Sequence, residues 1–330
     1  MTRPSARRAW LLAAAVFVLL ATELVVPLRQ ASAAPTWIVA SRSARGVVVD
    51  RATIAVGAVT FTVARFHKGA TAFHWHAGYL DPPKAATSFA GDATSHVSWS
   101  SEGVVGVVGV FNGGFKVSAN AGGVMADNVT LVPLRRGLGT IAIDDRGVLT
   151  IGKWGRDLPP RHSRIVSYRQ NLPLLIDHGT TAPSAVNGDL PAWGSWFGPS
   201  PYVPRTAVGI DAAGNVLYAG TMNLVSPNQL ARALRAAGAV EAVELDINPY
   251  WPILGIARSP LHHLSQSFSF SLPASRHRPE VLSSGWSRDF FVVMSEPNAL
   301  SCSIVTNGPG PRGIKASHYV RFSGTHCPAH

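Results

Sequence analysis

Two stretches with the same layout constrain this chain most. Residues 139–154 read GTIAIDDRGVLTIGKW and residues 205–222 read RTAVGIDAAGNVLYAGTM. In each, two runs of alternating apolar residues flank a short turn that opens on an aspartate and contains a glycine. A period of two sends successive side chains to opposite faces, so each run is a strand and each stretch a hairpin. A chain organised this way builds its core on β-sheet. Further strands are expected at 52–66 and 71–80, and over 104–115, where VVGVVGVFNGGF ends in a glycine turn. Two more are expected at 240–247 and 288–295. Only one segment carries a clear helical period. Ser226 is placed as its N-cap and Pro227 as its first residue. Leu230, Ala233 and Leu234 form its buried stripe, and Gly238 is its stop. The expected class is α+β, a mixed and mostly antiparallel β-sheet with few helices in a single catalytic-type domain.

The ends of the chain read differently. Arg3, Arg7 and Arg8 precede an apolar stretch from Ala9 to Val26, and ASAA at 31–34 offers a small-residue cleavage site. This is the pattern of an export signal. The stretch is also about as long as a membrane span needs, so residues 1–33 read as a signal peptide or an N-terminal membrane anchor. Residues 34–50 read as a linker, 51–300 as the main domain and 301–330 as a tail. Cys302 and Cys327 are the only cysteines, both in that tail, and in an exported chain such an isolated pair reads as a disulfide. The expected location is extracytoplasmic, with membrane contact only through an uncleaved N-terminal segment.

Charge narrows the partners. The formal net charge is +11, and removing residues 1–33 leaves +8. The excess is spread thinly, which suits attraction to extracytoplasmic polyanions. No basic block is interleaved with aromatics and no zinc spacing occurs, so nucleic acid is not an expected partner. A glycan or sugar-phosphate polymer is.

Three constellations could carry chemistry. In VELDINPYWP (243–252), Glu244 and Asp246 stand at i, i+2 of a strand and so share a face. Paired acids at that spacing suit glycoside hydrolysis or a divalent cation site. No cofactor is otherwise indicated. The structural alternative pairs Glu244 with an arginine and leaves Asp246 to cap the turn at Asn248-Pro249. In FNGGFK (111–116), Asn112, Gly113 and Gly114 end a buried strand. Their backbone N–H groups could hold an anion, or form an ordinary turn. His74 and His76 share a strand face without a third ligand nearby, and His262-His263 has no periodic support. Nucleophile-elbow, zinc-protease, phosphate-loop and dinucleotide motifs are all missing.

The order of these pieces carries a resemblance. VVGVVGVFNGGFK is followed by AGGVMADNVTLV, the first hairpin, NLPLLIDHG (171–179), PRTAVGIDAAGNVLYAG (204–220) and AAGAVEAVELD (236–246). Over roughly 104–250 the chain resembles the phosphodiester glycosidase family. The family pattern has a strand ending in N-G-G-F, an R-T-A-x-G-x-D-x-x-G hairpin and a strand ending in L-D-G-G-G-S. The resemblance implies an exported hydrolase that cleaves a sugar from a sugar-1-phosphodiester, with a cell-envelope polymer as the expected substrate. It implies Asp246 as the catalytic carboxylate, for which Glu244, two residues earlier in this chain, is the candidate partner; Arg205 with Asn112, Gly113 and Gly114 are the candidate phosphate binders, and Arg205 could instead pair with Asp211 or Glu244 across the sheet. Where the family has the glycine loop, this chain has Ile247, Asn248, Pro249 and Tyr250. Asn248, Tyr250 and Trp251 are then the candidates to contact a sugar. The alternative function is a non-catalytic envelope protein that binds glycan or anionic polymer on the same scaffold.

Overall fold

The structure is a computed structural model that describes residues 34–78, 81, 106–126, 129–144, 146–161, 163–194, 200, 202–261, 267–283 and 287–295. In chain order its strands are β1 (Ile38–Ser43), β2 (Gly46–Val56), β3 (Val59–Phe66), β4 (Thr71–His76), β5 (Val107–Asn112), β6 (Val124–Ala126), β7 (Val129–Val132), β8 (Gly139–Asp144) and β9 (Leu149–Lys153). They continue as β10 (Ile165–Gln170), β11 (Leu174–Asp177), β12 (Thr180–Thr181), β13 (Val203–Asp211), β14 (Val216–Val225), β15 (Ala239–Glu244), β16 (Leu254–Leu261), β17 (Phe270–Ser271) and β18 (Phe290–Ser295). The helices are α1 (Pro183–Asn187), α2 (Leu190–Trp193) and α3 (Pro227–Ala236).

The strands form an eight-stranded sheet ordered β1-β2-β3-β14-β13-β15-β11-β12 and two five-stranded sheets, β7-β6-β10-β8-β9 and β17-β16-β5-β18-β4. The strand pairs run antiparallel, as in the β13–β14 and β8–β9 hairpins. The expected class, mostly antiparallel sheet with few helices in one domain, is what the chain adopts.

Both hairpins read from the sequence form, and their aspartates explain why. Asp144 Oδ1 accepts from Arg146 N (3.0 Å) and Val148 N (2.8 Å), while Gly147 takes φ 79°. Asp211 Oδ1 accepts from Asn215 N (2.8 Å), while Gly214 takes φ 85°. In each case a carboxylate closes the turn and glycine supplies the left-handed backbone.

The eight-stranded sheet is buried on both faces. Val208, Tyr218 and Val243 point into a core shared with both smaller sheets, where they meet Phe111, Ile141 and Phe291. Their neighbours Ala207, Leu217 and Ala242 point the other way, onto Leu230 and Leu234 of α3. The helix begins as expected. Ser226 Oγ accepts from Gln229 N (3.3 Å), and Gln229 Oε1 accepts from Ser226 N (2.9 Å), a reciprocal cap.

Two boundaries differ from expectation. Residues 52–66 are not one strand, because the chain reverses at Gly57 (φ 65°) and pairs Val56 with Val59. Residues 34–50 are not a linker. They hold β1 and the start of β2, with Val48 and Val49 fully buried. An edge strand that begins so close to the apolar N-terminal stretch carries too little polar alternation to announce itself. No helix among the described residues is long and apolar enough to cross a membrane. Residues 1–33, His262, His263, Cys302 and Cys327 lie outside the described residues.

Candidate active site

The two carboxylates of VELDINPYWP go to different places. Glu244 is the last residue of β15, fully buried, and its partner is Arg205 of β13, also fully buried. Ala207 lies directly opposite Glu244, so Arg205 is its diagonal neighbour on the same face. Arg205 also donates from Nε to Val225 O (3.0 Å) and from Nη1 to Trp193 O (3.2 Å). This pair lies on the face that carries α3. Burial raises the Glu244 pKa to about 7 against the pull of Arg205.

Past Glu244 the backbone changes partner. Leu245 N donates to Thr206 O (2.8 Å), but Asp246 N donates to Gly113 O (3.1 Å), at the end of β5. Asp246 thereby enters a buried cluster. Its Oδ2 lies 2.7 Å from Arg288 Nη2, and its Oδ1 accepts from Asn248 N (2.9 Å). Arg288 Nη2 also donates to Gly114 O (2.9 Å). Asp289 precedes β18, and its Oδ2 accepts from Arg169 Nε (2.7 Å), Trp75 Nε1 (3.0 Å) and Gly114 N (3.1 Å). Asp81 completes the group, with Oδ2 3.7 Å from Arg288 Nη2 and 4.0 Å from Arg169 Nη2. These three aspartates and two arginines are at most 6% exposed.

With all five ionised the cluster carries one excess negative charge. Burial, with Asp289 adding to it, raises Asp246 to about 6 even though Arg288, the Asn248 N–H and Arg169 favour its ionised form. Asp81 is raised by burial and by Asp289, against Arg169 and Arg288. Burial works against the Arg169 charge, but Asp289, Asp81 and Asp246 outweigh it and its pKa is raised.

Four buried polar atoms in and beside this cluster have no hydrogen-bond partner among the described residues: Asp81 Oδ2, Asp289 Oδ1, Arg288 Nε and Asn171 Nδ2. Asn171 belongs here because its Oδ1 accepts from Phe115 N (3.1 Å), just past the glycine pair. An unsatisfied buried polar group costs about 1–3 kcal/mol, so a concentration of several at one place is a candidate for a bound ligand or ordered water. Two of the four are acceptors and two are donors.

The FNGGFK turn contributes in an unexpected way. Gly113 N donates to Asp289 O (2.8 Å), Gly114 N to Asp289 Oδ2 and Phe115 N to Asn171 Oδ1, so these N–H groups already have acceptors. The glycines are needed for space. A Cβ on Gly113 would stand 2.2 Å from Asp289 Oδ2, and one on Gly114 2.3 Å from Asn171 Oδ1. Asn112 ties strands together. Its Nδ2 donates to Thr206 Oγ1 (3.0 Å) and its Oδ1 accepts from Tyr218 Oη and Ile253 N (both 3.3 Å).

The loop that replaces the glycines closes on itself. After the Asp246–Asn248 bond, Asn248 Oδ1 accepts from Tyr250 N (3.1 Å) and Asn248 O from Trp251 N (2.9 Å). Trp251 lies half-buried with Arg288 Cζ 5.7 Å from its ring centroid, and Tyr250 is 45% exposed. The chain thus runs from the cluster to the surface in five residues.

As to metals, Glu244 and Asp246 are each held by an arginine, which disfavours a divalent cation at either. Asp177, His178 and Glu241 bring one possible ligand atom each within 4.8 Å of one another, but Lys153 and Arg156 already pair with Asp177. His74 and His76 bond to each other (2.9 Å), and His76 stacks on Phe290.

Sequence reasoning found Asp246 but missed Asp81, Arg169, Asn171, Arg288 and Asp289. Their available signal was an Arg-Asp pair standing directly before the apolar run FFVVM, and a lone arginine within the strand IVSYRQ.

The comparison with known families supports a phosphodiester glycosidase-like scaffold. Residues 105–246 match the phosphodiester glycosidase family model, so the resemblance read from the motifs is shown over that stretch. Arg169, Asn171 and Asp246 fall inside it, and Asp81, Arg288 and Asp289 outside. Among solved structures, the chain is similar to the zebrafish N-acetylglucosamine-1-phosphodiester alpha-N-acetylglucosaminidase catalytic domain auto-inhibited by its pro-peptide. Identity is 14%, with 80% of this chain and 89% of that chain covered and a TM-score of 0.45. A hypothetical protein from Synechocystis is similar at 12% identity over 75% of this chain, with a TM-score of 0.45; the match spans 62% of that protein's length. No curated protein matches.

Proposed function

We propose that this protein is an extracytoplasmic hydrolase that releases a sugar from a sugar-1-phosphodiester. The observation that carries the reading is the set of four buried atoms without a hydrogen-bond partner among the described residues, in and beside the cluster that holds ion-paired Asp246. A sugar hydroxyl donates and accepts at once, and so suits two acceptors beside two donors. The match of 105–246 to the phosphodiester glycosidase family supports the reaction class. The arginine-led apolar stretch and ASAA support export, and the net charge of +8 after their removal suits a polyanionic envelope substrate.

In this reading Arg288 binds the phosphate through Nε, which has no hydrogen-bond partner among the described residues, a role the sequence alone had suggested for Arg205, whose guanidinium is engaged by Glu244 and two carbonyls. The bond between the anomeric carbon and the phosphate oxygen breaks, and its electrons leave with the phosphate. Arg288 offsets the charge that develops there. Positive charge develops at the anomeric carbon, and ionised Asp246 stabilises it. Water supplies hydroxide to the sugar and a proton to the phosphate. Asp289, held by three donors, keeps Arg169 and the glycine turn in position.

The test is release of free sugar from a synthetic sugar-1-phosphodiester by wild type and by Asp246→Asn. Wild type turns over and the variant loses about 10²–10⁴-fold. Wild-type turnover in the variant would sink the assignment.

A second reading, a non-catalytic glycan or polymer binder, draws on the loop 246–251. Its N–H groups at Asn248, Tyr250 and Trp251 are satisfied within the loop, where glycines would leave backbone open to a ligand. Polymer binding without turnover, retained by Asp246→Asn, would favour it.

A further inference from the structure

Between Asp246 and Glu280 the chain contains no acidic residue, while it carries Arg258, Arg276, Arg278 and three histidines. Part of this stretch is fastened beside the site. Ser275 Oγ donates to Pro252 O and to His277 O (3.1 Å), joining the 275–277 turn to the residue after Trp251. Arg276 is exposed, and its Cζ lies 4.3 Å over the Tyr250 ring. Arg278 is exposed two residues later. Glu280, the nearest acid in sequence, is partly buried and accepts from Phe268 N (3.3 Å) through Oε1. A connected path therefore runs from Asp246 through Arg288, Trp251 and Tyr250 to the surface guanidinium of Arg276, with exposed Arg278 two residues further along.

We propose that Arg276 and Arg278 form a basic rim that binds further phosphate groups of a polymeric substrate outside the buried cluster. The proposal rests on the sugar-phosphodiester reading given above and sharpens it, since the ligand becomes a chain of sugars joined through sugar-1-phosphodiesters in place of a single small phosphodiester. The physical basis is charge and position. A stacked guanidinium keeps its edge N–H groups directed outward, and a planar fork suits phosphate oxygens. A second charge two residues away gives repeated phosphates a second contact. No acid occurs from 247 to 279, so no carboxylate of this stretch itself opposes the two arginines.

The experiment measures binding of a polymer of sugars joined through sugar-1-phosphodiesters to the full chain carrying Asp246→Asn, so that turnover plays no part, across a range of salt. Three forms are compared: this parent, the parent with Arg276→Gln and Arg278→Gln, and the parent with Arg161→Gln and Arg164→Gln. The last two arginines are exposed ones just before β10. The expected result is a loss of about tenfold in affinity at low salt for the rim variant, with a slope of log K against log salt shallower by about one to two. The Arg161/Arg164 variant should stay within about twofold, and thermal melting should confirm that all three fold. Equal losses from both arginine pairs, or no loss from either, overturn the rim. So does binding to phosphatidylglycerol vesicles that depends on Arg276 and Arg278 while the polymer does not bind. Rim-dependent polymer binding by a chain whose wild type cleaves no sugar phosphodiester leaves the rim standing and removes the glycosidase reading. Cleavage with no rim effect does the reverse.

Discussion

Asp246 Oδ2 and Arg288 Nη2 are 2.7 Å apart, and this contact joins the end of β15 to the entry of β18 across two different sheets. Arg288 reaches Gly114 O from the same nitrogen, so one guanidinium fixes the ends of three strands. Arg288→Lys keeps the charge and loses the planar fork. Turnover on a sugar-1-phosphodiester should fall about 10²-fold. The check is a kinetic comparison alongside melting curves.

Asp289 has a different task. It is 1% exposed and is the counter-ion of buried Arg169. Asp289→Ala removes the carboxylate hydrogen-bonded to Arg169 Nε and leaves Asp81 Oδ2, at 4.0 Å, as the paired acid, so it should cost about 3–5 kcal/mol. Urea unfolding measures it, and a cost below 1 kcal/mol would contradict the burial.

Glu244 and Arg205 should behave as a closed pair. Removing either side chain alone strands a buried charge, with a cost again of about 3–5 kcal/mol. Glu244→Leu with Arg205→Met should recover much of that loss, because the double variant buries no charge. A double-mutant cycle on stability reads the coupling.

Gly114→Ala tests the glycine turn. The added methyl would stand 2.3 Å from Asn171 Oδ1, so Asn171 or the turn must shift. A stability loss of about 1–3 kcal/mol is expected, together with a drop in sugar release as Asp289 and Arg288 lose their backbone partners.

The raised carboxylates set opposite pH trends for stability and activity. Asp246 titrates at about 6 in the folded chain, above the unfolded range near 4. Between those values the folded chain holds a proton that the unfolded chain has released. Its contribution is therefore full below about pH 4 and is lost as pH rises through about 6. The melting temperature of wild type relative to Asp246→Asn should fall across that window. Turnover, which in the proposed mechanism needs the ionised form, should rise across the same window. Paired pH series of melting and kinetics test both signs.

The sequence made the scaffold legible where local chemistry is repetitive. Asp144 and Asp211 announce their hairpins, and Ser226, Pro227 and Gln229 announce α3. Face arithmetic was right for Glu244, which shares a face with Ala242, but it does not extend to Asp246. The strand ends at Glu244, and the backbone leaves Thr206 for Gly113. The same limit hid the rest of the cluster. Asp81, Arg169 and Asp289 meet only because three sheets converge there, and no local period encodes that meeting. Arg205 carried the strongest motif signal among the cations, yet it lies behind the sheet; Arg288, which has no motif, lies in front.

Because its charges come from before, within and after residues 105–246, the cluster does not exist in that segment alone. A fragment cut to the bounds of the family likeness would carry Arg169 without Asp289 and Asp246 without Arg288. It would also leave β5 exposed along both edges, since β16 and β18 both come later in the chain. Such a fragment would be an unpaired apolar strand beside unneutralised charges, prone to aggregate and unable to report on activity. The unit on which selection and engineering can act is the three-sheet assembly, of which the recognisable segment is the middle portion.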